Sequence, residues 1–459
     1  MKKLKLSESL KNVTKISTGN VVGQIIAIVT LPFISRIYGA EIIGIWAVIT
    51  ALANIVSNIS DLGLANSLMM CGDNEIIPRY SIVSKISMYV SMLSGVVVFL
   101  YYILTGQELQ YSITVCGFLI MYTFTLRQVQ ICYTLLSRYK EYSILMMNSA
   151  IRFGSVAVIS IGLGMLGFIQ YGYFIGNVAG QILTLLHMRK KLPKIQKKNK
   201  ISEYTDVIKG NIDYVRYQMP ASITVMLRTE LPNLLIGALF GNKILGYFSI
   251  SQKLLTIPVT FIGQSLGTVF YQRAAEMSRL GQNIGQFLKR NINRSMLLAV
   301  IPMTLFAAFG DVAINIFFGV EYSVGGVICR IIVFRSLFNF ISTATRGLDI
   351  VINKQQYVLY TCIAQTILAV GSVLCGFYVF HDIIATSIIL VVTFIIIQIM
   401  YFCFMYKFIG LNPLIYLRDT AIIVGLMFAL SIVLRYAVIW ILQAFPNGFF
   451  NYLLSMFVL

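Results

Sequence analysis

Two arginine side chains lie deep within apolar stretches of the sequence. Arg152 stands about ten residues into the stretch 143–167, and Arg335 stands about twelve residues into 323–346. If both stretches are membrane-spanning helices that rise about 1.5 Å per residue, both side chains lie close to the bilayer midplane. An isolated arginine at that depth costs about 2.5–3.5 kcal/mol even on the more lenient insertion scale. We therefore expect both arginines to face the interior of a helix bundle or a hydrated cavity.

Further basic side chains within apolar stretches could join them in binding a ligand. A guanidinium group keeps its proton and binds phosphate oxygens through two parallel hydrogen bonds, so this chemistry predicts a substrate that carries phosphate. The predicted substrate-binding basic residues are Arg152, Arg335, Arg228, Arg127, Arg330 and Lys253. A structural role remains open for each of them, because an arginine in a span often binds backbone carbonyls that a proline kink exposes.

Amide side chains extend the predicted site. The tenth predicted span carries a polar stripe on one helical face, because its polar residues recur at i, i+4, i+7 and i+11. These residues are Arg335, Asn339, Ser342 and Arg346. Asn20 and Gln24 are also four residues apart, on the first span, and are predicted to bind sugar hydroxyls. Hydrogen bonds between helices are the alternative for this pair.

Carboxylates are too few within the spans to neutralise these cations. Asp61, Glu230 and Asp349 lie inside or at the margin of predicted spans. Asp311 lies near the outer end of the ninth. The predicted interior is therefore cationic and favours an anionic ligand, with Asp61 and Glu230 as the predicted ion-coupling residues. Arg435, nearer the end of a span, is predicted to extend toward a lipid headgroup.

The composition predicts a membrane protein built from α-helices. Hydrophobic residues make up 58% of the 459 residues and charged residues 12%, about half the charged share of soluble globular domains. The apolar stretches are long enough to cross about 30 Å of hydrocarbon. Twelve core spans are predicted, and the C-terminal region adds one or two. They form an all-α polytopic fold with spans at 16–37, 42–65, 81–104, 112–137, 143–167, 168–188, 214–237, 244–271, 296–318, 323–346, 357–380, 384–406 and 419–441.

Basic residues predict the orientation of these spans. Most of the 36 lysines and arginines fall in segments that are cytoplasmic if the N-terminus is cytoplasmic, and only Arg36 and Lys243 fall in outer loops. We therefore predict a multi-pass membrane protein with a cytoplasmic N-terminus, whose first apolar run is retained as a helix. The net charge of +19 then serves topology and contact with the lipid bilayer, as in the basic segment 189–200. It does not require a nucleic-acid partner.

An internal repeat divides the chain into two halves. Residues 34–48 match residues 236–250 at a constant offset, with Gly39 and Gly241 in the same place. Each copy joins the first two spans of its half through a tight outer turn, where glycine permits positive φ or close helix contact. A parallel repeat predicts two six-helix bundles related by an axis along the membrane normal. The predicted domains are residues 1–188, a basic cytoplasmic linker at 189–213, residues 214–408, and an extra C-terminal transmembrane segment at 409–459.

Four segments of the chain resemble one known family. They are 23-GQIIAIVTLPFISRIYGAEIIGIWAV-48, 60-SDLGLANSL-68, 218-QMPASITVMLRTELPNLLIGALFG-241 and 317-FFGVEYSVGG-326. In their order they resemble the polysaccharide-repeat flippases of the O-antigen (Wzx) type, members of the multidrug/oligosaccharidyl-lipid/polysaccharide (MOP) exporter superfamily. The resemblance covers residues 10 to about 410.

The resemblance implies a fold and an activity. It implies a V-shaped pair of six-helix bundles that opens alternately to each side of the membrane. The substrate would be an undecaprenyl-diphosphate-linked oligosaccharide repeat unit. It would be moved from the cytoplasmic to the periplasmic leaflet of the bacterial inner membrane for synthesis of O-antigen or another surface polysaccharide. A polysaccharide polymerase and a chain-length regulator are the protein partners that this pathway offers.

Other functions remain open on the same fold. A lipid II-type flippase would carry a related substrate, and an ion-coupled multidrug antiporter would expose carboxylates to cationic ligands. A membrane-embedded polysaccharide polymerase, the enzymatic alternative, would carry a large outer loop or a metal-binding carboxylate cluster. The sequence has neither feature, and it lacks a nucleophile with a base and a phosphate-binding glycine loop. We therefore predict a transporter that is not an enzyme and uses no cofactor or metal.

Overall fold

The computed structural model describes the backbone of residues 2–195, 199–444 and 448–457, and the side chains from Thr18 onward within these ranges, except at 201, 449 and 451. Within these ranges every regular element is a helix and no strand occurs, so the predicted all-α class is confirmed. The helices are α1 Lys2–Ile59, α2 Ile76–Leu104, α3 Leu109–Arg138, α4 Tyr142–Met165, α5 Ile169–Arg189, α6 Ile201–Lys209, α7 Met219–Phe240, α8 Asn242–Pro258, α9 Gln264–Arg279, α10 Gly285–Phe318, α11 Ser323–Ala344, α12 Leu348–Val351, α13 Gln355–Cys375, α14 Ile383–Phe408, α15 Pro413–Ala444 and α16 Gly448–Ser455.

Eleven segments among the described residues are long and apolar enough to cross a membrane, which makes the chain a multi-pass membrane protein. One of them, Thr18–Ile59, has 42 residues and covers most of the first two predicted spans, which meet at Gly39. Helix α5, also a predicted span, is not among the eleven. Its Gln181 side chain is fully buried. Part of the polarity of α5 therefore lies inside the protein, away from lipid.

The first of two compact units comprises Met1–Leu234. Helix α4 packs against α1 and α5, and both of these also pack against α3. Trp46 lies at the centre of this core, with its ring 4.8 Å from that of Tyr122 and 5.7 Å from that of Phe174. These aromatic contacts join α1, α3 and α5 and so fix the positions of the polar side chains that the three helices carry.

The second unit comprises Leu235–Leu459. Helix α10 packs against α11 and α15, and α14 packs against α11, α13 and α15. Buried aromatic rings such as Phe338, Phe402 and Tyr416 fill its core. The division between the units falls inside α7. The lobe, linker and C-terminal boundaries derived from the sequence stay predictions.

The described part of the segment 189–213 folds against the first unit. Helix α6 packs on α2, and its Tyr204 and Val207 cover a buried apolar cluster. Asn199 Oδ1 accepts a hydrogen bond of 2.7 Å from Lys85 Nζ on α2. This part of the chain is therefore docked and does not act as a free tether.

The two glycines of the internal repeat adopt the same backbone conformation. Gly39 has φ 72° and ψ 171°, and Gly241 has φ 89° and ψ 164°. This region of φ and ψ is accessible essentially to glycine alone. A Cβ added at either position would meet no atom within 4 Å. The glycines therefore serve the turn conformation and not a close contact between helices.

Replacing Gly39 or Gly241 with alanine should destabilise the fold by about 1–3 kcal/mol, because a Cβ strains the backbone in this region. Thermal unfolding of the purified variants in detergent measures the loss. Gly117→Ala and Gly371→Ala are matched controls, because they also have open space for a Cβ but lie in regular helix. The controls should equal or exceed the wild type in stability. Unfolding temperatures for Gly39→Ala and Gly241→Ala that equal those of the controls would contradict this account.

Candidate functional site

The segment 60–68 forms a turn that fixes a carboxylate at the end of α1. Leu62 and Gly63 both have positive φ, at 56° and 75°, so the chain leaves the helical path there. The Asp61 carboxylate accepts hydrogen bonds from the backbone N–H of Gly63 at 3.2 Å and of Ala65 at 2.7 Å. Asp61 is fully buried. The turn therefore holds one negative charge inside the first unit.

Asp61 forms a buried ion pair with Arg127 of α3. Arg127 Nη1 also donates a hydrogen bond of 2.7 Å to Gln130 Oε1, one helical turn further along α3. The side chain of Arg127 is 10% exposed. The structure thus brings together one predicted substrate-binding residue and one predicted ion-coupling residue.

A polar cavity of about 340 Å³ lies beside this ion pair. Its volume falls in the usual range for small-ligand sites. The side chains of Gln130, Tyr133 and Asn66 are exposed, so their amide and hydroxyl groups are accessible to a ligand. The lining comprises Asn58, Gly63, Ala65, Asn66, Arg127, Val129, Gln130, Tyr133, Thr134 and Ser222. Such a wall offers hydrogen bonds to sugar hydroxyls and one guanidinium group to an anion.

Arg152 lies among three helices of the first unit. Its Nη2 donates a hydrogen bond of 3.1 Å to the Tyr122 hydroxyl on α3. The Gln181 amide on α5, in the orientation that satisfies its hydrogen bonds, accepts from Arg152 Nη2 at 3.1 Å and from Nε at 3.3 Å. These contacts tie α4 to its neighbours, so Arg152 has structural partners whether or not it also contacts substrate.

The first helix packs closely on α4 near Asn20 and Gln24. Asn20 Oδ1 accepts a hydrogen bond of 2.5 Å from Ser149 Oγ. A Cβ on Gly19 would lie 1.8 Å from the carbonyl oxygen of Met146, so only glycine fits there. Asn20 is exposed and Gln24 is half-buried. The Asn20 contact is of the interhelical kind that the sequence left open.

Glu230 of α7 is held by amide groups. Its Oε1 accepts a hydrogen bond of 2.9 Å from Asn54, and its Oε2 accepts one of 3.3 Å from Asn233. No described basic residue forms an ion pair with it. Arg228, on the same helix, is half-buried, and Lys253 of α8 is exposed.

A second buried carboxylate organises the second unit. Asp311 of α10 is fully buried and accepts two hydrogen bonds, of 2.9 Å and 2.8 Å, from Arg435 of α15. Arg330 Nη1 of α11 lies 3.6 Å from the same carboxylate. The prediction that Arg435 extends to a headgroup is wrong. Arg435 is 6% exposed, because Asp311 and the carbonyl oxygen of Ala308 draw it into the core.

The predicted polar stripe on α11 contacts α14 at two places. The guanidinium of Arg335 lies 4.8 Å from the centre of the Phe394 ring. Ser342 Oγ accepts a hydrogen bond of 2.6 Å from Gln398 Nε2, and Gln398 Oε1 accepts one of 3.1 Å from Gln365 on α13. Asn339 is half-buried and Arg346 is exposed. The stripe therefore includes interhelical hydrogen bonds.

Sequence reasoning missed the residues that build the polar cavity. Gln130 follows Arg127 by three residues and so lies near its helical face, and that spacing could have identified it. Tyr133 follows Arg127 by six residues, which places it about 120° around the helix, so spacing alone does not identify it. Asn66 and Ser222 gave no comparable signal, because they reach the cavity from other segments.

A model of the family described as "Polysaccharide biosynthesis protein" matches residues 19–325. The chain belongs to this polysaccharide biosynthesis protein family. No curated protein sequence matches it. The resemblance seen in the sequence is confirmed.

Solved structures show which fold this family member has. The lipid II flippase MurJ, in an inward closed conformation, aligns over 97% of this chain and 96% of its own, with a TM-score of 0.71 and 12% identity. An inward-facing multidrug resistance MATE transporter of the MOP superfamily aligns over 87% and 94%, with a TM-score of 0.53 and 12% identity. A MOP-superfamily transporter from Pyrococcus furiosus is described as having a binding pocket of reverse polarity. It aligns over 87% of this chain and 96% of its own, with a TM-score of 0.51 and 13% identity. The fold is that of the MOP superfamily.

Proposed function

We propose that the chain is a flippase that moves an undecaprenyl-diphosphate-linked oligosaccharide from the cytoplasmic to the periplasmic leaflet of the inner membrane. Membership of the polysaccharide biosynthesis family supports a substrate from that pathway. The observation that carries the proposal is the polar cavity beside Arg127, whose lining combines a guanidinium with amide and hydroxyl groups. A phosphate-linked sugar needs both kinds of partner.

In this proposal the buried ion pair orients the binding arginine. Asp61 holds one Nη group of Arg127, and Gln130 accepts from the other. An arginine fixed in this way gives up little side-chain entropy when it binds a phosphate oxygen. Gln130, Tyr133 and Asn66 then contact the sugar. The polyprenyl chain stays in lipid, where it needs no polar partner.

The other predicted contacts belong to the proposal as residues that meet the headgroup at other stages of the cycle. Translocation takes the diphosphate past every depth of the membrane, so cations at several depths lower its cost. We assign this role to Arg152, Arg335, Arg228 and Lys253, with Asn339, Asn20 and Gln24 as hydrogen-bond partners, whereas Arg330 lines a separate groove of the second unit. The chain catalyses no reaction, and its N-terminus lies in the cytoplasm. A polymerase and a chain-length regulator then use the translocated oligosaccharide for synthesis of O-antigen or a related polysaccharide.

Glu230 is our candidate for ion coupling. Its carboxylate has amide partners and no ion pair among the described residues, so it can take up a proton or a small cation without breaking a salt bridge. An ion-coupled antiporter on the same fold is the second candidate function, and Glu230 is the observation that favours it.

Substitution of exposed cavity residues should reduce export several-fold without unfolding the protein. Gln130→Leu, Tyr133→Ala and Asn66→Leu each remove a polar contact, and each site is exposed. We expect surface polysaccharide to fall about two- to tenfold in a deletion strain, since one lost hydrogen bond costs about 0.5–1.5 kcal/mol. The measurement is surface polysaccharide per unit of membrane-inserted protein.

Gln110→Leu on α3 and Tyr89→Ala on α2 are matched controls, because both sites are exposed and lie outside the cavity. They should support full export. Full export by all three cavity variants would contradict the proposed site. If the wild-type chain rescues cells depleted of their lipid II flippase, the result would instead favour a lipid II substrate.

A further inference from the structure

An apolar groove runs between α11, α14 and α15 of the second unit. Its volume is about 800 Å³, and Ala307 of α10 forms part of its floor. Residues along its rim such as Val392 and Phe428 are about half exposed. The apolar walls include Ile331, Phe334, Val391, Ile395, Phe428 and Ile432. A groove with such walls fits a hydrocarbon chain.

One charged group faces this groove with part of its surface open. Arg330 and Arg435 both line the groove, and both contact Asp311 behind it. The side chain of Arg330 is 29% exposed, whereas that of Arg435 is 8% and that of Asp311 is 0% exposed. Arg330 Nε donates to the Ala307 carbonyl at 3.2 Å. Its Nη2 has no hydrogen-bond acceptor among the described residues. Two arginines therefore share one buried carboxylate.

The cluster lies toward one end of the helices that carry it. Helices α10 and α15 have 34 and 32 residues, so each is about 50 Å long and exceeds the roughly 30 Å hydrocarbon core. Asp311 lies about 10 Å from the end of α10, and Arg435 lies about 13 Å from the end of α15. A lipid headgroup at that end of the helices is therefore within reach of the cluster.

We propose that this groove binds an anionic phospholipid of the bilayer, with its phosphate on Arg330 and one acyl chain along the apolar walls. The planar guanidinium matches phosphate oxygens. Arg330 is partly exposed to the groove, and one guanidinium group can balance a phosphodiester, which carries one negative charge. The occupant in this proposal is a resident lipid and not the transported substrate, and its binding does not depend on the proposed export activity.

Native mass spectrometry of the purified chain, titrated with phosphatidylglycerol and with phosphatidylcholine of the same acyl chains, tests this proposal. The wild type should bind phosphatidylglycerol more tightly, and Arg330→Gln should weaken that binding at least about fivefold, as expected for a lost charged hydrogen bond. The fold should survive, because Arg435 keeps both of its bonds to Asp311. Arg346→Gln, which removes an exposed arginine outside the groove, is the control and should bind as the wild type does.

Two further variants test the groove and the charge separately. Val392→Trp fills the groove from an exposed position, and it should weaken binding of both lipids. If Arg330→Gln unfolds the protein, Arg330→Lys is the variant to measure. It keeps the charge but loses the planar guanidinium, and it should bind phosphatidylglycerol with intermediate affinity. Unchanged phosphatidylglycerol binding in folded Arg330→Gln or in Val392→Trp would overturn the proposal. So would displacement of bound phosphatidylglycerol by equimolar undecaprenyl diphosphate, which would assign the groove to the substrate carrier.

Discussion

Arg127→Ala should sharply reduce the amount of folded protein, whereas the double substitution Asp61→Asn with Arg127→Gln should restore the protein but not its export. The single change leaves the fully buried carboxylate of Asp61 without its cation. Breaking a buried pair in this way costs about 3–5 kcal/mol. The double change removes both charges together, and the new amides can still bond to the backbone N–H of Gly63 and to Gln130.

The comparison separates a structural role for Arg127 from a binding role. Membrane-inserted protein is measured by fluorescence size-exclusion chromatography, and export by surface polysaccharide in a deletion strain. At restored abundance, the double variant should export at least about tenfold less, because a hydrogen bond to a charged partner contributes about 1.5–3 kcal/mol. If the double variant exports normally, the pair only holds α3 to the turn after α1, and the cavity does not use a cation.

Asp311→Ala should be the most destabilising single change in the second unit. It leaves Arg435 buried and places Arg330 beside it with no carboxylate between them. The cost is about 3–5 kcal/mol, since two cations lose the carboxylate that they share. Thermal unfolding in detergent measures it, with Asp349→Ala as a control because Asp349 is half-buried and forms no ion pair with a described residue.

Replacing the buried pair as a unit should reverse that loss. Asp311→Leu combined with Arg435→Met removes both charges and fills the space with apolar groups, a change that is neutral or stabilising in comparable buried pairs. We expect the double variant to unfold within a few degrees of the wild type. A double variant as unstable as Asp311→Ala would show that the carboxylate is needed for more than its partner's charge.

Much of the fold could be predicted because its signals are local. Hydropathy and span length locate membrane helices wherever lipid sets the composition. The hydropathy signal is weaker at α5, because buried polar groups such as Gln181 lower the hydropathy of that helix. The turns at Gly39 and Gly241 could be found because each depends on a short repeated segment whose backbone only glycine can adopt.

The partners of the buried charges could not be predicted in the same way. Arg435 was assigned to a headgroup from its distance to a span end, but its position depends on Asp311, which lies 124 residues away in the chain. Asp61 and Arg127 likewise meet only because α1 and α3 pack together. Spacing along one helix shows which residues share a face, but the neighbour of that face is decided by tertiary packing.

Transport by the purified chain in proteoliposomes tests the central claim most directly. Undecaprenyl-diphosphate-linked oligosaccharide is placed in the inner leaflet, and a glycosidase added outside reports its arrival in the outer leaflet. We predict release of sugar that depends on the wild-type chain and falls at least about tenfold in the folded Asp61→Asn, Arg127→Gln double variant. Release no faster than in protein-free liposomes, together with transport of a cationic drug by the same preparation, would contradict the flippase account.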